Sequence, residues 1–160
     1  MRQKVGDALR DRLDAVREAA REPRAARVEG QGADVLARVL QHAIEEAGRE
    51  KVSALVFIGD CMEEDPDHLG DLAGRLGLLG VPCFLFHEGH DPDAVSTFGH
   101  IAALTRGACL HFDGGSPAQL RQLLAAVAAY ASGGVKALEA RARREGGMAR
   151  QLTDRLGGRR

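Results

Sequence analysis

Apolar positions recur along this chain at two different spacings. In "VGDALRDRLDAVREAA" the residues Val5, Leu9, Leu13, Val16 and Ala20 fall at helical spacing. They make one narrow apolar stripe on an otherwise charged helix. The stripe stops near Pro23, and "REPRAARVEGQG" reads as a linker. "ADVLARVLQHAIEEAG" carries a wider face of Val35, Leu36, Val39, Leu40, Ala43 and Ile44, with Asp34 placed to cap its start and Gly48 its end. Then the pattern changes. "VSALVFIG" is a short continuous apolar run, the mark of a strand covered on both faces. "VPCFLF" and "ACLHF" repeat that mark, the Pro of the former close to its start, where a missing N–H is tolerated.

Helical segments separate these runs. "DPDHLGDLAGRLGLLG" offers Asp65 as N-cap and Pro66 as first helical residue, with Leu69, Leu72, Leu76 and Leu79 inward. "DPDAVSTFGHIAALTRG" puts Val95, Phe98, Ile101 and Leu104 inward. "SPAQLRQLLAAVAAYASGG" opens on Ser116 as cap, followed by Pro117 and then Gln119 in the capping-box position. Strand and helix thus alternate with short connections. This predicts an α/β fold: right-handed crossovers and a parallel sheet of at least three strands with helices on both faces. After Gly133 and Gly134 come two short helical pieces, one over 135–145 and one holding Met148, Leu152 and Leu156. The expected organisation is an N-terminal amphipathic helix and linker (1–31), the α/β domain (32–134) and a basic helical tail (135–160).

Composition changes this picture only a little. Aromatic residues are 4% of the 160 and Trp is absent, so the core must be aliphatic. A net charge of −1 gives no global attraction to nucleic acid or anionic lipid. The charge is uneven, with acids dominant over 52–113 and Arg141, Arg143, Arg144, Arg150, Arg155, Arg159 and Arg160 in the tail, which reads as a solvated helical face. Cys61, Cys83 and Cys109 form no CxxC pair, and Cys83 and Cys109 lie inside predicted strands, as suits a reducing cytoplasm. No apolar signal segment opens the chain, and no stretch reads as long enough to span a bilayer.

Candidate chemistry gathers where a parallel sheet places it, at the carboxyl ends of the strands. The first exit carries Asp60, Cys61, Glu63 and Glu64. The second, "HEGHD", carries His87, Glu88, His90 and Asp91. The third, "HFDGGS", carries His111, Asp113 and Ser116. A hard cation such as Mg²⁺ takes carboxylate oxygens, and Asp60 at a strand end is the residue best placed to give one. Glu63, Glu64 and Asp65 suit the positive end of the helix that follows them. A zinc reading would use His87, His90 and Cys61, although the two histidines straddle Gly89 in a loop rather than sharing a helical face. Without metal, "HEGHD" is a polar surface loop in which Gly89 turns the chain. A carboxylate beside Cys61 raises its pKa and disfavours a reactive thiol. His100 sits beside the Phe98 and Ile101 face and reads as structural. Neither GxxxxGK[ST] nor GxSxG occurs.

The order "ALVFIGDCMEED", "LGLLGVPCFLFHEG" and "IAALTRGACLHFDGGSPAQLRQLLAAVAAYASGG" resembles a von Willebrand factor A (VWA) domain of the stand-alone bacterial type, over 32–134. The resemblance implies a Rossmann-like sheet and a metal-ion-dependent adhesion site holding Mg²⁺ or Mn²⁺, with Asp60 matching one metal-binding Asp of that site. The family's Asp-x-Ser-x-Ser loop is absent from the chain, as is the Thr expected before the Val35 helix, so the matched part is the C-terminal half of such a domain. In the whole family fold the Asp60 strand is central. Here it becomes an exposed apolar edge, an association surface. The resulting expectation is a cytoplasmic, non-catalytic protein-interaction module with an incomplete metal site at Asp60. The expected partner is a protein, with either a homodimer through the sheet edge or the N-terminal helix or a poorly folded monomer, and neither nucleic acid nor membrane is expected as a partner. The alternative is a small Mg²⁺-dependent phosphoryl-transfer or phospho-acceptor enzyme using Asp60 and Asp113. Such folds usually add a rim Lys, whereas Lys4, Lys51 and Lys136 all lie away from strand exits.

Overall fold

Three apolar runs become three parallel strands, and the capped segments between them become the helices that cross over. The computed structural model describes residues 35–59 and 63–157. Its elements are α1 (Val35–Ala47), β1 (Leu55–Gly59), α2 (Pro66–Leu78), β2 (Cys83–His87), α3 (Pro92–Leu104), β3 (Ala108–His111), α4 (Pro117–Glu145) and α5 (Gly147–Gly157). The strand order is β1-β2-β3. Leu55 stands opposite Cys83 and Gly59 opposite His87, while Phe84 faces Ala108 and His87 faces His111. The fold is therefore α/β, as the alternation predicts. All described residues belong to a compact unit spanning Gly32–Arg160. The N-terminal stripe of Val5, Leu9, Leu13 and Val16, with Asp34, Asp60 and Cys61, lies outside the described residues.

Strand alternation sorts the core into two layers. On one face Cys83 and Leu85 meet Leu36 and Leu40 of α1, Leu69 and Leu76 of α2, and Phe98 and Ile101 of α3. On the other, Phe84, Phe86 and Leu110 meet Leu123 and Val127 of α4 and Met148 and Leu152 of α5. The few aromatics sit where they fill most. Phe84 packs edge-on against Tyr130 at 5.2 Å, and Phe57 edge-on against Phe98 at 5.7 Å. Burying one such side chain contributes roughly 1.5–3 kcal/mol.

Caps fall largely where the sequence puts them. Asp65 accepts from the Asp67 N–H at 3.0 Å and Asp91 from the Asp93 N–H at 3.0 Å, each with Pro at the first helical position. Ser116 accepts from the Gln119 N–H at 3.3 Å. The Gln119 side chain reaches one loop further back than a capping box, and its Oε1 accepts from the Asp113 N–H at 2.7 Å.

The junction of α3 with β3 shows how one hydroxyl replaces a ladder bond. The Cys83 N–H finds the Thr105 Oγ1 at 3.1 Å, while that hydroxyl donates to the Ile101 carbonyl at 2.9 Å. Gly107 passes so close to Cys83 that a β-carbon there would overlap the Cys83 carbonyl. Burial pushes the Cys83 thiol up to about 11, partly offset by its hydrogen bond with Thr105, so this thiol is an apolar filler.

The structure corrects several inward assignments. Val95 and Leu104 are exposed, and the buried face of α3 is Ala94, Thr97, Phe98, Ile101 and Ala102. Sheet and α2 cover adjoining sides of α3, so its buried arc is wider than, and rotated from, the Leu–Val stripe. Leu79 is the C-cap of α2 and is exposed rather than inward. β1 is not covered on both faces: four of its five residues are half-buried, and Ile58 is 42% exposed, whereas all of β2 is buried.

The basic tail is more than a solvated face. Leu138, Met148, Ala149 and Leu152 lie in the second core layer, while Arg143, Arg144, Arg150 and Arg155 remain outside it. The two helical pieces flanking Gly133 and Gly134 run on as α4, bent where Gly134 takes φ 66° and ψ −159°. Because it runs through that bend, α4 has the length and apolar content of a bilayer span, unlike the shorter segments read from the sequence. Its residues Leu123, Ala126, Val127 and Leu138 are buried in the core.

Candidate functional site

Parallel strands deliver their exits to one edge, and two of the three exits lie within the described residues. They are tied together by main-chain bonds. The Glu88 N–H donates to the Gly59 carbonyl at 3.0 Å, and the Phe112 N–H to the His87 carbonyl at 3.0 Å. Register puts His87 beside His111 at the ends of β2 and β3, their rings 5.0 Å apart and nearly perpendicular. Gly89, at φ 77°, turns the second loop back so that His90 also reaches His111, at 5.1 Å. His111 thus sits next to both other histidines. His87 is only 8% exposed, and its Nδ1 is buried with no partner in hydrogen-bond geometry. Burial, more than any other influence, holds the His87 imidazole below its ordinary range. His111 adds to the lowering, Gly89's nearby backbone opposes it, and His90 and Arg155 add further. The neutral imidazole is thereby favoured over the cation.

The rim carboxylates are engaged as caps. Glu64 accepts from both the Leu36 N–H at 2.6 Å and the Ala37 N–H at 2.7 Å, closing the N-terminus of α1 from the loop after β1. The sequence assigns Glu64 to the entry of α2, where it follows in the chain. Space assigns it to α1, while Asp65 supplies the capping oxygen at the entry of α2. Asp113 accepts from the Gly115 N–H at 2.9 Å within its own loop. The Glu88 carboxylate lies directly over Gly114, where a β-carbon would collide with it. Glu63 is exposed.

Of the sequence candidates, His87 and His90 are brought near one another through His111, not through Cys61, which lies outside the described residues together with Asp60. Among the described residues no group of three or more His, Cys, Asp or Glu is arranged to hold a metal ion. His100 is exposed on α3, facing Gly70 of α2. Three features escaped the sequence reading: the long-range cap by Glu64, the Thr105 pin and the His87–His111 neighbourhood. The last was available in principle, since His87 and His111 each stand at the exit of adjacent predicted strands.

No protein-family model matches the chain, and neither the curated proteins nor the solved structures yield a match.

Proposed function

We propose that this chain is a non-catalytic, cytoplasmic protein-interaction module, resembling the C-terminal half of a VWA domain, whose docking surface is the open edge of β1. The observation that carries this reading is the placement of β1. Parallel strands are ordinarily flanked and covered, yet this wholly apolar "LVFIG" pairs with β2 alone among the described residues. Leu55 donates to Pro82 and Gly59 accepts from Glu88, so those residues direct their main-chain groups toward β2. By alternation Val56 and Ile58 direct theirs outward. Within β1 itself there is neither Pro nor a charged residue. The module binds by adding a strand there, where main-chain hydrogen bonds give affinity and side-chain contacts give selectivity.

The engagement of Glu64, Asp65, Asp91 and Asp113 with backbone N–H groups supports a scaffold role for the rim rather than acid–base chemistry. The VWA resemblance would make Asp60 a Mg²⁺ or Mn²⁺ ligand. Among the described residues Glu64 is committed to α1, and no group of three or more His, Cys, Asp or Glu is arranged to hold a metal ion.

Amide hydrogen exchange of the full chain tests this. Val56 and Ile58 are expected to exchange slowly, at rates approaching those of β2 amides, wherever the edge is paired. Exchange of both at unstructured rates under every condition would sink the reading. Turnover of a phosphate ester in Mg²⁺ that is lost in Asp113→Asn would favour the phosphoryl-transfer alternative instead.

A further inference from the structure

We infer that His87 and His111 form a two-histidine site for a borderline transition-metal cation such as Zn²⁺, set in the crevice between the exits of β2 and β3. Topology makes the crevice. The loop after β2 leads to α3, whose Phe98 and Ile101 lie in the first core layer, while the loop after β3 leads to α4, whose Leu123 and Val127 lie in the second. Two neighbouring parallel strands whose connections part to opposite faces leave an opening at their carboxyl ends, and ligands of open α/β sheets gather there. The exits of β1 and β2 do not part in this way, since α2 and α3 share the first layer. His87 and His111 stand at the two strand ends that flank the opening, level with one another in the ladder.

Spacing and chemistry fit such an ion. With zinc–nitrogen bonds of about 2.0–2.1 Å, two imidazoles on adjacent corners of a tetrahedron hold their ring centres roughly 5 Å apart. The rings of His87 and His111 are 5.0 Å apart, on residues that the ladder holds side by side. The buried nitrogen of His87 is Nδ1, and it has no partner in hydrogen-bond geometry. A buried polar atom without a partner is uncommon and asks for a group that the chain alone does not supply. Ligation through Nε2 answers it: the proton then resides on Nδ1, and the main chain of Gly89 lies beside the ring to accept it. The loops that carry the histidines also carry Glu88, Asp91 and Asp113, so the local charge favours a cation over an anion, with Arg155 of α5 acting in the opposite sense. Imidazole nitrogen suits Zn²⁺, Cu²⁺ and Ni²⁺ rather than Mg²⁺, so this ion differs from the one that the resemblance attaches to Asp60. The chain supplies two donors, since no group of three or more is arranged for an ion among the described residues, and the other positions go to water or to a donor atom on a bound molecule. His90 lies 5.1 Å from His111 but belongs to the loop rather than the ladder, and it takes no bond to the ion.

The test is isothermal titration calorimetry of the untagged full chain with Zn²⁺ alone, joined to nuclear magnetic resonance of the histidine rings. The expected result is one Zn²⁺ per chain that equimolar Mg²⁺ does not displace, with the ring signals of His87 and His111 shifting together. His111→Gln, at an exposed position, is expected to weaken binding by about tenfold or more with unchanged far-ultraviolet circular dichroism. His87→Gln should weaken it similarly, and His100→Gln, exposed on α3, should leave it unchanged. Where His87→Gln fails to fold, the ring signals of the unaltered chain still report on His87. Absence of Zn²⁺ binding into the millimolar range would overturn the inference. Binding that His111→Gln leaves intact, or that is lost in His90→Gln and kept in His87→Gln, would overturn it too. So would displacement by equimolar Mg²⁺, because carboxylate oxygens would then be the donors.

Discussion

Glu64 makes the longest-range cap in the described structure. Its two short bonds to the Leu36 and Ala37 N–H groups are charge-assisted and part-buried, so their loss leaves two donors of α1 without acceptors. Glu64→Ala is expected to cost about 1–3 kcal/mol, read as a lower urea midpoint with an unchanged slope. His87 makes a prediction of the opposite electrostatic kind. Its folded pKa lies below the unfolded value, so below about pH 6.5 the unfolded chain binds the proton more readily. Stability is full above that pH and falls as pH drops from there through the lowered folded pKa. Protonation would place a cation in a buried position beside His111, His90 and Arg155. Urea unfolding followed from pH 7.5 to 5 should show the fall, and His87→Phe should flatten it.

At the scale of elements, the clearest consequence concerns α5. Leu152 is fully buried against the sheet layer that contains Phe84 and Phe86, although it belongs to a segment whose charge reads as a solvated tail. Leu152→Ala is expected to destabilise the chain by roughly 2–5 kcal/mol, a loss visible in thermal melts. Exposed Leu124→Ala on α4 should change little by comparison. The sequence made strands, crossover helices and Asp–Pro or Ser–Pro caps legible, because each depends on neighbours in the chain. It hid what depends on distant neighbours. The α3 face was misjudged at Val95 and Leu104 because aliphatic spacing does not reveal which flanks the sheet and α2 occupy. The Glu64 cap was hidden because only folding brings the loop after β1 to the start of α1. At the rim, both described histidine loops were foreseen, but their meeting at His111 depends on the β2–β3 register.

For the molecule as far as its residues are described, a three-stranded sheet with an apolar edge links folding to association. If the edge is closed by a second copy, the melting temperature rises with protein concentration, because anything that binds only the native state stabilises it by mass action. A differential scanning series over a hundredfold range of concentration checks this. Ile58→Lys should show a melting temperature independent of concentration.

The Glu64 cap also sets an order of events during synthesis. α1 leaves the ribosome well before the residue that satisfies the N–H groups of Leu36 and Ala37, which lies 28 and 27 positions further along. A thirteen-residue helix is marginal in isolation. The nascent α1 therefore lacks acceptors for its first N–H groups until the loop after β1 has emerged, and Leu36 and Leu40 stay open to solvent longer still, until α2, β2 and α3 have followed. A translational pause anywhere before α3 would prolong that exposure.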